Sequence, residues 1–477
     1  MQENRIELNN FVSVPRQVAG RKQNIMYLFS ECSSPETKGL KCSSQIYLER
    51  KQSIKFLLSE SSAPETNGFD VSTPINRGQD LNPVRNRLNG TIYGLLITLL
   101  LLAGCHKEDP KPVQYYLGSE EVLSFTSTEI KNGLFFAGLS DLAVKMKYDV
   151  KVYKFNYHIN YQGVDRTASG LLAVPITSDP LPMASLQHGT IAANKNAPSV
   201  GYNDYSTLTW FASLGYILAI PDYIGFGETA DLLHPYYHAE YTAMSVINML
   251  FAARQYANQE SLAFNNKLFL AGYSEGGFAT MATHMFLEND HPEEFELVAS
   301  SPGAGGYDIN GMLEYFFAMD TYPDPFYIAY VAMAYKETYD LENPLSDFFN
   351  APYASVIPTL FDGDLSAGQI NGQLTNDLGA LLNPDFKANA FTDPKYSALI
   401  AAFKENSPID WTPKAPVIMY HGTDDVVIPY GNSENVYNKM IGNGAPNIEL
   451  VPIEGEGHGS GFMPYLFSII ERFEGMK

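Results

Sequence analysis

Three side chains far apart in the sequence have the types needed to break an acyl bond: Ser274, Asp425 and His458. Serine is a weak nucleophile at neutral pH. It needs a base to take its proton, and the base needs an acid to hold the right tautomer. Ser274 sits in Gly272-Tyr273-Ser274-Glu275-Gly276-Gly277, directly after the apolar run 268–271. That pattern predicts a short strand, a tight turn and a helix from Phe278 to about Leu287. Gly272 and Gly276 lack Cβ atoms, so strand and helix can close around a strained Ser274 and lift its hydroxyl out of the sheet. The first N–H groups of the helix then aim at whatever oxyanion forms there. A Gly/Ser-rich turn without chemistry is the competing reading, and the strand before and helix after argue against it.

The elements that must position these groups follow from the hydrophobic pattern. Residues 150–159 alternate apolar and polar, 162–165 make a turn and 168–175 return, a hairpin. Strands are expected at 183–190, 216–220, 267–271, 296–300, 416–422 and 448–453, with helices at 206–214, about 237–258 and near 433–440 between them. Strand, helix, strand repeats mean a mostly parallel sheet covered on both faces. The strand at 416–422 ends in His421-Gly422-Thr423-Asp424-Asp425, and the strand at 448–453 ends in Glu454-Gly455-Glu456-Gly457-His458. Carboxyl ends of parallel strands are where such sheets place their sites. Between 303 and 413 the alternation stops. This stretch leans helical, its first half is crowded with Tyr and Phe, and it is too long for a connection, so it reads as an inserted cap.

The order Ser274, Asp425, His458, with Gly-Tyr-Ser-x-Gly-Gly, the early His188-Gly189-Thr190, the loop Asp222–Gly227 and the late Gly457-His458, resembles the α/β-hydrolase superfamily over most of residues 148–477. The large cap before the acid strand resembles that of secreted lipases and esterases. The resemblance implies roles. His458 is the base. Asp425, four residues before Pro429, is the acid rather than Asp424. The backbone N–H groups of Glu275 and Thr190 form the oxyanion hole. Glu275 stands where related lipases often carry Gln or Gly. His188 and His421 read as structural, and Asp222 as a side chain that fixes its loop.

Composition narrows the partners. The 477 residues carry a formal net charge of −22, which argues against nucleic acid. His234, His238, His284 and His291 show no paired spacing for a metal, and no cofactor is implied. The three cysteines, Cys32, Cys42 and Cys105, do not make a disulfide scaffold. Residues 85–105 have a basic start, a short apolar run and the exit Leu102-Ala103-Gly104-Cys105, the grammar of a secretory signal. The apolar run is too short to span a bilayer. The exit resembles a bacterial lipobox, which implies a lipidated Cys105, residues 84–104 removed as a signal peptide, and an exported protein anchored to a bacterial membrane, the outer one by preference, with exposure at the cell surface left open. Residues 1–83, which carry a repeat of 27–37 at 56–66, read as a mis-called or disordered extension. The expected organisation is therefore a tether and N-terminal segment at 105–147, a first core part at 148–302, the cap at 303–413 and a second core part at 414–477.

The leading expectation is a lipid-anchored serine ester hydrolase acting on a small-molecule or lipid ester. A prolyl-peptidase-like serine peptidase on the same scaffold, or a non-catalytic surface binding protein that kept the fold, are the alternatives.

Overall fold

The computed structural model describes residues 113–477, together with the backbone of an antiparallel hairpin, β1 (Ser13–Val18) and β2 (Arg21–Met26). The signal-like segment, Cys105 and the repeat copies at 27–37 and 56–66 lie outside the described residues.

Nine further strands form one sheet: β3 (Tyr116–Phe125), β4 (Val150–Tyr161), β5 (Val164–Pro175), β6 (Leu181–Gln187), β7 (Ile217–Pro221), β8 (Phe264–Tyr273), β9 (Glu296–Gly303), β10 (Val417–Gly422) and β11 (Ile448–Ile453). Their spatial order is β11-β10-β9-β8-β6-β7-β5-β4-β3. All pairs from β7 through β6 to β11 are parallel, while β5, β4 and β3 add on antiparallel. The β4–β5 connection is a two-residue turn, Gln162-Gly163, with φ of 51° and 79°. Positive φ at both positions matches the twist of paired strands, and glycine adopts it without strain. The sheet begins before the expected boundary at 148, because β3 pairs along β4 from Tyr116↔Tyr157 to Phe125↔Val150. β3 has no buried side chain and no regular apolar alternation, so it gave no strong strand signal.

Alternation along β8 shows why the sheet has two covered faces. Leu268 and Leu270 join a core with α1 (Ala239–Gln259) and α2 (Glu275–Asp290), while Phe269 and Ala271 point the other way. The second face is covered by the helix that ends the chain, through Ile469, Ile470 and Phe473. Burying one such side chain contributes about 1.5–3 kcal/mol. Between β9 and β10 the chain leaves the sheet for a helical insertion, with α3 (Ile309–Ala318), α4 (Phe326–Thr338) and α5 (Ser397–Glu405) as its longer helices. Its apolar side chains merge with the core on the α1 face. Helix α6 (Tyr430–Gly442) joins β10 to β11, and α7 (Phe462–Met476) is the terminal helix.

Candidate active site

Ser274 stands between β8 and α2 with φ 63° and ψ −126°. This region is unfavourable for a residue with a side chain and costs about 1–3 kcal/mol. Surrounding bonds hold it there. Its N–H donates to the Gly303 carbonyl (2.9 Å), and its own carbonyl accepts from the N–H groups of Gly277 (2.8 Å) and Phe278 (3.1 Å). Close approach explains both glycines. A Cβ on Gly272 would strike the Gly276 carbonyl, and one on Gly276 would strike the carbonyl of Gln187 in β6.

The structure brings Ser274, His458 and Asp425 into a line. Ser274 Oγ lies 2.8 Å from His458 Nε2, and His458 Nδ1 lies 2.6 Å from Asp425 Oδ2. With Nδ1–H donating to the carboxylate, Nε2 is free to accept the serine proton. Asp425 is buried in the turn after β10, where its Oδ1 accepts from the N–H groups of Val427 (2.8 Å) and Ile428 (2.9 Å). Burial alone would raise its carboxyl. The hydrogen bonds and charge of His421 and His458 outweigh that and hold it well below the usual carboxylate range. Asp424 is exposed.

His421 has more to do than its place beside a glycine suggested. Its Nε2 is 2.9 Å from the Ile428 carbonyl and 3.3 Å from Asp425 Oδ2, and its Nδ1 is 2.7 Å from Ser433 Oγ. It therefore braces the same carboxylate oxygen that His458 meets. Tyr465, and Tyr273 beyond its place in the serine motif, brace the same corner. Tyr273 donates its hydroxyl to the His458 carbonyl (2.8 Å), and Tyr465 donates to the carbonyls of Gly272 and Ser301 (3.0 and 2.7 Å). No motif spacing announces these contacts, which cross more than 150 residues.

On the other side of Ser274 the loop after β6 comes close: a Cβ on Gly189 would lie 3.7 Å from that of Ser274. His188 is fixed between the carbonyls of Gly189 (2.8 Å) and Asp222 (3.2 Å) and stacks on Tyr223. Asp222 is fully buried and accepts from Ser169 Oγ (2.6 Å) and the Ser199 N–H (2.8 Å), so it ties its loop together and has no bond to Ser274 or His458. Among the described residues, no backbone hydrogen bond takes up the N–H of Thr190 or Glu275. Thr190 is steadied through its hydroxyl, 2.8 Å from that of Tyr236. The Glu275 side chain is buried against His234, with Oε1 2.7 Å from Nε2. The remaining described histidines are engaged elsewhere: His284 with Ser300 and Glu288, His238 capping α1, His158 beside Asp165 and His291 against Phe251. Among the described residues, no group of three His, Cys, Asp or Glu side chains is placed to hold a metal ion.

Ser274 lines a cavity of mostly apolar walls. Tyr236, Tyr237, Val427 and Ile428 line it from outside the insertion, and the insertion supplies most of the rest, including Leu313, Phe316, Phe348, Phe386 and Phe403. Among the described residues, no Asp, Glu, Lys or Arg side chain lines it.

A strand–turn–helix serine after β8, an acid after β10 and a histidine after β11, on a mostly parallel sheet, define the α/β-hydrolase fold, and this chain has that fold. Residues 202–333 match the prolyl oligopeptidase family. Among solved structures, the chain is similar to a Legionella pneumophila protein assigned provisionally to the hydrolases, at 27% identity and a TM-score of 0.69, covering 76% of this chain and 98% of that one. It is also similar to the rice cell wall degrading esterase LipA from Xanthomonas oryzae (24% identity, TM-score 0.65, 75% of this chain and 96% of that). Candida antarctica lipase A matches at 18% identity and a TM-score of 0.57, over 76% and 82%. The last two likenesses speak for the fold alone. Among curated proteins, none matches the chain by sequence.

Proposed function

We propose that this protein is a serine ester hydrolase that cleaves acyl esters through an acyl-enzyme on Ser274. The observation that carries the reading is the relay Ser274–His458–Asp425 at the mouth of an apolar cavity. In the first half-reaction Ser274 Oγ attacks the ester carbonyl while His458 Nε2 takes its proton. Asp425 stabilises the imidazolium formed. The developing oxyanion accepts hydrogen bonds from the N–H groups of Glu275 and Thr190, each worth roughly 3–4 kcal/mol in the transition state. As the C–O bond breaks, His458 returns the proton to the leaving alcohol. Water, deprotonated by the same nitrogen, then attacks the acyl-enzyme and regenerates the serine.

The cavity favours an acyl group. Its walls offer apolar area at about 25 cal/mol per Å² buried and, among the described residues, no charged side chain for a peptide terminus. The prolyl oligopeptidase match over 202–333 favours a second reading, amide cleavage by the same relay. Chromogenic esters of two to twelve acyl carbons, run beside aminoacyl anilides, separate the two. Ester turnover exceeding every anilide is expected, and the reverse ranking makes the protein a peptidase.

Attachment through a lipid on Cys105 completes the proposal, supported by the sequence of residues 85–105. A lipoprotein cysteine carries more than one chain, enough for stable anchoring. Cys105→Ser is expected to move the protein out of the membrane fraction. A wild-type protein recovered free of membranes and of lipid mass overturns the anchor.

A further inference from the structure

The residue after the nucleophile is a buried acid, and its surroundings set a condition on its charge. Glu275 is 1% exposed and its Oε1 lies 2.7 Å from Nε2 of His234, which is 2% exposed. His234 Nδ1 lies 2.6 Å from the Ile224 carbonyl, so Nδ1 must carry a proton to make that bond. Two acceptors cannot face each other at 2.7 Å, so a second proton sits between Nε2 and Oε1. Whichever atom holds it, the pair has no net charge. The other oxygen, Oε2, is buried and accepts no hydrogen bond from the described residues. Without His234, an ionised Glu275 would be a bare buried charge on the same residue whose N–H faces the oxyanion.

The pair also joins the two sides of the site. Gly225, at φ 95°, has no room for a Cβ because the backbone of His234 packs against it. Two residues after His234, Tyr236 meets the hydroxyl of Thr190. One short segment therefore holds Glu275 at one end of the proposed oxyanion hole and Thr190 at the other. We infer that His234 is a positioning residue for the oxyanion hole: it leaves no unbalanced charge on Glu275 behind the nucleophile and locks the N–H groups of Glu275 and Thr190 into one frame.

This rests on Ser274 being the nucleophile, which a fluorophosphonate probe tests separately by labelling wild type and not Ser274→Ala. A protein that labels elsewhere fails that reading before this one is reached. For the pair, kcat and KM are measured on one soluble ester for the full chain carrying His234→Ala, Glu275→Gln and both, with folding checked by thermal melts. His234→Ala is expected to lower kcat on the order of 10- to 100-fold with KM within about threefold. Adding Glu275→Gln, which removes the charge, is expected to recover at least about tenfold of that loss. A double variant no faster than His234→Ala overturns the inference. Should His234→Ala not fold, His234→Gln decides: its amide can donate to Glu275 but brings no charge. It is expected to stay slow until Glu275→Gln is added, and wild-type kcat in His234→Gln alone would reduce the pair to a structural tie.

Discussion

Two aspartates stand side by side at the end of β10, and only Asp425 faces inward. Asp425→Asn should lower kcat far more than Asp424→Asn, since the amide cannot hold His458 in the tautomer that accepts the serine proton. Steady-state kinetics of the two variants decide it, and the reverse ranking moves the acid to Asp424. The carboxyl of Asp425 lies below the ordinary range, so its contribution to stability is full above about pH 4 and lost as pH falls through its folded value. Denaturant melts at pH 7 and pH 3 should therefore differ less in Asp425→Asn than in wild type. Ser274→Ala and His458→Ala should each remove nearly all turnover, and the double variant should lose little more, because the two act as one unit. A double variant much slower than either single one refutes the shared role. Candidate residues were legible where chemistry dictates sequence locally. Ser274 needs its glycines, and Asp425 and His458 need strand ends. His421, Tyr273 and His234 were not legible in these roles because each acts through a partner 4 to 185 positions away, met only on folding.

At the level of elements, the parallel strands and their helices could be read because both faces of the sheet are buried. β6 and β7 are buried throughout and mostly apolar, and β4 alternates. Ends were harder. The strand expected at 183–190 stops at Gln187, where the backbone turns to bring Gly189 beside Ser274, and α2 begins at Glu275, three residues earlier than apolar periodicity suggested. The start of α1 carries its own pH dependence. His238 Nδ1 accepts the Tyr241 N–H, which only the neutral ring can do, and burial pushes the ring down to about 4. Protons thus favour the unfolded chain between the ordinary histidine value, about 6.5, and pH 4. Stability from this group is complete above that window and declines through it on acidification. His238→Gln should flatten the decline, measured as unfolding free energy at pH 7, 6, 5 and 4. An unchanged slope would show that other groups govern this range.

Across the whole molecule, chemistry and recognition are drawn from different parts of the chain. The sheet supplies Ser274, Asp425 and His458, and the insertion supplies most of the cavity wall. Lengthening the acyl group should raise kcat/KM by up to about 0.8 kcal/mol per buried methylene, roughly fourfold, until the cavity is full. Phe403→Ala and Phe386→Ala should shift the optimum to longer chains while short esters still turn over. An optimum that ignores both substitutions would place the acyl group elsewhere. Which aromatics face the cavity could not be read from sequence, since Tyr330 and Tyr335 of the same aromatic-rich stretch are buried as packing.

The insertion has one more consequence, in time rather than in space. β9 and β10 are neighbours, with Ala304 donating to the Tyr420 carbonyl at 2.8 Å, yet residues 304–416 separate them. Closing so long an excursion makes that pairing a late event. The serine turn, built from β6, β8 and α2, can be in place before the strands that bring Asp425 and His458. A chain emerging from the ribosome is in the same condition: it holds a serine and lacks a base until its final strands are made. The molecule should therefore remain inert through most of its synthesis and gain activity in its last step of assembly. Refolding followed by both fluorescence and ester turnover should show activity returning only with the slowest phase, and activity recovered in an earlier phase would refute this order.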